Sequence, residues 1–149
     1  MHSTTCLFLT TLLFVAADDP KADRAVKADL KKLQGKWTMT GLEIDGKVVG
    51  EDKFKDTTLE IKDDKYIVKS GKNTYEVRFK LDPAKNPKEI DLFFPDPPNV
   101  DKLHRGIYLI DGDTFKLCKA QAADQPRPTE FGTWPDTGMF MVTWKRQMP

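Results

Sequence analysis

The chain has 149 residues, one domain by length, and a near-balanced charge of +1 with 32% of residues charged. That balance supplies no field to gather nucleic acid or acidic lipid, and the interleaving of Lys and Arg with acids leaves no basic track along the chain. Of the two cysteines and two histidines, Cys6 and His2 lie in the first 17 residues, and Cys118 and His104 alone are too few for a disulfide framework or a zinc cluster.

The first element is an apolar run from Cys6 to Ala17 with small residues Val15 and Ala17 before Asp18. A spanning helix needs roughly 20 apolar residues, and the run is shorter. The pattern is that of a cleaved signal peptide over 1–17, with a retained anchor as the alternative, and it predicts export to the periplasm, the cell envelope or the medium. The mature domain is then 18–149. Loss of Cys6 leaves Cys118 as its one thiol, placed on a strand in LKLCKA with no nucleophilic role.

From Asp18 to Gly35, Pro20 near the start, Ala25, Val26, Leu30 and Leu33 at helical spacing, late lysines and the Gly35 stop predict one short amphipathic helix. Strand patterns follow to the end of the chain. KWTMTGLEI precedes Asp45-Gly46, a two-residue hairpin signal. TTLEIK, KYIVK and TYEVRFKL alternate apolar and polar residues with turns at Asp63-Asp64 and at 70–73. EIDLFF, LHRGIYLI, TFKLCK and MFMVTWKR complete eight strands, with Asp111-Gly112-Asp113 as a turn and Gln121 to Thr137 as one long connection. Consecutive antiparallel strands with tight turns predict an all-β, eight-stranded up-and-down barrel, with a two-sheet sandwich as the alternative.

The motifs LQGKW (Leu33–Trp37), GIYLIDGDTFKLC (Gly106–Cys118) and RPTEF (Arg127–Phe131), with DGK, KEIDL and the terminal WKR, carry a resemblance over nearly all of 18–149. The chain resembles a lipocalin-like domain family of unknown function found in secreted proteins of planctomycete-type bacteria. The resemblance implies a barrel and a secretory context and brings no activity. It also implies structural roles for Gly35 and Trp37: Trp37 closes one barrel end, with a basic residue from the last strand over its ring. Arg146 shares a face with Phe140, Val142 and Trp144, and guanidinium stacks on indole better than ammonium, so Arg146 is expected there rather than Lys145.

An eight-stranded barrel either fills its lumen or holds one small ligand. The expected inward set is Trp37, Met39, Leu59, Ile61, Tyr66, Val68, Tyr75, Val77, Phe79, Leu81, Ile90, Leu92, Phe94, Ile107, Leu109, Phe115, Leu117, Phe140, Val142 and Trp144. Tyr66, Tyr75, Phe79, Phe94 and Phe115 are its candidate lumen contacts for an apolar ligand. In the long connection Arg127, Glu130, Phe131 and Trp134 form a candidate lid, with the aromatics over a barrel mouth and Arg127 paired to Glu130. Aspartates at the hairpins are turn residues rather than calcium ligands, and His104 is expected to face solvent. The expected function is that of a non-enzymatic, monomeric binding domain for a small apolar molecule, without cofactor, metal, nucleic acid or stable membrane insertion. The alternative is a filled barrel whose surface binds an envelope protein.

Overall fold

A computed structural model describes residues 19–97 and 101–149. The signal-peptide reading of residues 1–17 lies outside the described residues. Helix α1 spans Pro20–Leu33; Asp19 caps it by accepting from the Lys21 N–H at 2.9 Å, Pro20 occupies the first turn, and Lys31 and Lys32 sit at the end where cations suit the dipole. Gln34 ends the helix and ties it to the barrel: its Nε2 donates to the Asp63 carbonyl at 3.1 Å and its Oε1 accepts from the Asp63 N–H at 2.8 Å.

The strands are β1 (Gly35–Ile44), β2 (Lys47–Val48), β3 (Thr57–Lys62), β4 (Lys65–Ser70), β5 (Asn73–Asp82), β6 (Lys88–Phe94), β7 (Lys102–Asp111), β8 (Thr114–Ala120) and β9 (Met139–Arg146). Each of β3 to β8 pairs antiparallel with the next, and β1 pairs with both β3 and β9. The ring of β1 and β3–β9 is therefore the expected closed eight-stranded up-and-down barrel, and β2 is a two-residue addition at the far end of β1. Closure removes the open edges that a sandwich would leave. Asp45 and Gly46 take φ of 53° and 79°, the left-handed pair that a two-residue hairpin requires.

A bulge between Met39 and Gly41 shifts the alternation of β1, so Trp37 and Met39 face in before it and Leu42 and Ile44 after it. Strands β3 to β6, β8 and β9 present the expected inward residues. In β7 the phase is the opposite of that expected. Tyr108 lies opposite Leu117, and Ile110 opposite Phe115, inside the barrel. Ile107 instead lies opposite Cys118 on the outer wall, and Leu109 is 44% exposed. Ile107 is nonetheless fully buried, because the 121–138 loop covers that wall. A strand apolar on both faces carries no period-two signal as to which face is the lumen.

Candidate functional site

The two ends of the lumen are built differently. At the end capped by α1, Trp37 is fully buried, and its indole N–H donates to the Leu33 carbonyl at 2.9 Å. Register places Arg146 directly opposite Trp37, and the guanidinium sits 4.2 Å above the indole, as expected. The same guanidinium donates to the Gln34 carbonyl at 2.9 Å and to the Lys32 carbonyl, satisfying the helix C-terminus, and Asp113 lies 3.6 Å from its Nε. Phe115 packs 5.8 Å from Trp37, and Tyr66 meets Trp144 edge-on at 6.3 Å. Burial raises the Tyr66 phenol well above its ordinary range. Behind these rings Asp29, buried on the helix, accepts from Lys88 at 2.6 Å and from the Tyr108 hydroxyl at 2.9 Å. Burial first, then the bond to Asp29, raise the Tyr108 pKa.

Three of the five expected lumen contacts, Tyr66, Phe79 and Phe115, belong to this plugged half. The other two lie toward the opposite end. Tyr75 faces the lumen across from Val68 and is 48% exposed, and Phe94 lies 4.5 Å from the His104 ring. His104 is buried on the lumen side of β7 instead of facing solvent. It follows the shifted phase of β7, two residues before Gly106 and four before Tyr108.

Lys119 continues the inward series Phe115, Leu117 along β8. Its Nζ lies 5.6 Å from the Phe94 centroid and 5.1 Å from that of Phe140. Those rings stand on β6 and β9, with β7 and β8 between them, so the amine reaches into the barrel mouth. Nζ donates to the Ala120 carbonyl at 3.1 Å and lies 3.3 Å from His104 Nδ1. Among the described residues no carboxylate lies within ion-pair distance of it. Burial lowers its pKa to about 8. Burial, then the Lys119 charge, lowers that of His104; Nδ1 also lies 3.4 Å from the Ala120 carbonyl, and in the tautomer protonated on Nε2 it accepts from the lysine. Lys119 and His104 were absent from the expected site; the period-two series through Phe115 and Leu117 carried the signal for the lysine.

The long loop does not cover the mouth. It lies along the outer wall, where Gly132 accepts a contact from Cys118 Sγ at 3.5 Å and buries the thiol. Arg127 does not pair with Glu130, which is exposed. Its guanidinium donates to the carbonyls of Ile90 at 3.0 Å and Gly106 at 2.7 Å and to Asp91 at 2.7 Å, with Glu89 at 3.3 Å. Two strand carbonyls and two carboxylates form a better site for five N–H donors than one exposed neighbour on the same loop. The return limb is fastened to the β1–β2 hairpin, where Asp45 accepts from the Thr137 and Gly138 N–H groups at 2.8 Å each. Phe131 is half-buried, and Trp134, 46% exposed, lies against Gly132.

Clefts on the outside include one of about 460 Å³ between the loop limbs, lined by Gln121, Pro126, Arg127 and Met139, and one of about 330 Å³ between α1 and β5. No group of three or more metal-ligating side chains occurs among the described residues, and no helix there is long and apolar enough to cross a membrane. The chain matches no family model, no curated protein and no solved structure.

Proposed function

We propose that this is an exported, non-enzymatic binding domain that holds a small apolar molecule at the barrel mouth opposite α1. The observation that supports it is the contrast between the ends: one is closed by packed rings and paired charges, with the buried Trp144 indole N–H as its one orphaned side-chain polar group among the described residues; the other presents Phe94 and Phe140 beside a lysine with no carboxylate in ion-pair distance among the described residues, and Tyr75 half-exposed toward the same end. Aromatic walls with few convergent polar groups suit a small ligand. Export rests on the apolar leader at 6–17.

Titration with the neutral fluorophore N-phenyl-1-naphthylamine tests the reading. Binding in the micromolar range is expected, weakened by Phe94→Ala and Phe140→Ala and unchanged by Glu130→Ala. No fluorescence enhancement with folded protein would sink it. The second reading, a surface that binds an envelope protein, is supported by Val48 and Trp134, exposed by 80% and 46% on the adjoining hairpin and loop.

A further inference from the structure

We propose that Lys119 is a nucleophilic amine that captures apolar aldehydes at the barrel mouth as a covalent imine. The proposal rests on the reading of the mouth as a ligand site and adds a chemical class to it. Three features of placement support it. The amine stands between two aromatic rings from strands three positions apart, so an apolar carbonyl compound seated against Phe94 or Phe140 brings its carbonyl carbon to Nζ. Among the described residues no carboxylate lies within ion-pair distance of it; the Ala120 carbonyl and the two ring faces favour the ammonium, and burial outweighs them. The imidazole is also within reach to carry a proton.

The groups facing Nζ are few. His104 comes from β7, and β6 and β9 contribute the two rings. The charges acting on that imidazole are Lys119 itself, Asp124 of the loop and Lys102 of β7. With a pKa of about 8, about a quarter of Lys119 is the free amine at pH 7.5, against about a thousandth of an ordinary lysine. Desolvation of a lysine in an apolar pocket is a recognised route to amine nucleophilicity.

The step balances without a co-reactant. The Nζ lone pair forms a bond to the carbonyl carbon as the carbonyl π pair moves to oxygen. A proton passes from nitrogen to that oxygen through His104 Nδ1. The hydroxyl then leaves as water while nitrogen gives up its second proton and forms the C=N bond. One amine and one aldehyde become one imine and one water.

The test incubates the full chain with trans-cinnamaldehyde and sodium cyanoborohydride, which fixes imines as secondary amines, followed by intact mass and peptide mapping. At pH 7.5 Lys119 is expected to label at least tenfold faster than exposed lysines such as Lys47, with a rate that rises through pH 8; the lower nucleophilicity of a less basic amine trims the advantage of its larger free fraction. Mapping separates the chain's α-amino group, which ordinarily titrates near 8. Lys119→Met and Lys119→Arg, each checked for native circular dichroism, should lose the fast adduct and keep the slow background. The polar aldehyde glyceraldehyde should show no preference for Lys119. Labelling of Lys119 no faster than Lys47, in protein that still binds N-phenyl-1-naphthylamine, overturns imine capture and leaves the binding reading standing. Absence of both overturns both.

Discussion

The two ends of this barrel handle buried charge in opposite ways. At the α1 end each charge has partners: Asp29 receives Lys88 and Tyr108, and Arg146 has the indole of Trp37, two helix carbonyls and Asp113. At the mouth Lys119 has a carbonyl, an imidazole and two rings. A satisfied network stabilises when every member is paired, whereas a cation held from water without a carboxylate destabilises the fold. One end holds the barrel together through paired charges, and the other holds a cation at a cost to the fold.

The largest effect expected from that contrast is at the plug. Trp37→Ala removes a fully buried indole, its bond to Leu33 and the surface under Arg146. A loss of about 3–5 kcal/mol in urea unfolding is expected, with fluorophore binding retained wherever the variant is folded. A loss under about 1 kcal/mol would mean that the indole is not the keystone of that end.

Opposite signs are the sharper test. Asp29→Ala strands Lys88 and the buried Tyr108 hydroxyl and should cost about 2–3 kcal/mol. Lys119→Met should instead stabilise at neutral pH. The folded-state pKa of Lys119 is lowered to about 8 from an ordinary value near 10.4, so between those values the unfolded chain binds the extra proton and wild-type stability rises with pH. Below pH 8 the cost of burying the charge is fully present, on the order of 2–3 kcal/mol; above about pH 10 it is gone. Denaturant midpoints of wild type and Lys119→Met at pH 7 and pH 10 should therefore converge on going alkaline. A gap that stays constant with pH would place the difference in packing.

Much of the plug was legible in the sequence, and most of the mouth was not. Strand order, turns and closure followed from alternation and from Asp-Gly punctuation; the resemblance implied a basic residue over Trp37, and counting along β9 chose Arg146 rather than Lys145. The phase of β7 did not, because Ile107 and Ile110 are equally apolar and only the third dimension shows that a loop covers the outer one. His104 went with that phase. Lys119 was written into the same alternation as Phe115 and Leu117, but a lysine is ordinarily placed outside on its charge alone. Rules of average burial fail where a group is held at a cost, and that is where a site is to be sought.

The loop gives the smallest effect. Were the loop self-contained, Arg127 and Glu130 would matter equally. The structure gives Arg127 four partners on β6 and β7 and leaves Glu130 in solvent. Arg127→Ala should then cost about 1–2 kcal/mol, and Glu130→Ala should stay within about 0.5 kcal/mol of wild type. The readout specific to the loop is the Cys118 thiol, which the loop covers through Gly132 and whose pKa burial raises. Arg127→Ala should speed its reaction with a maleimide in native buffer, and Glu130→Ala should not. Equal rates in the two variants would mean that the loop is fastened by its return limb at Asp45, with Arg127 contributing to the barrel wall alone.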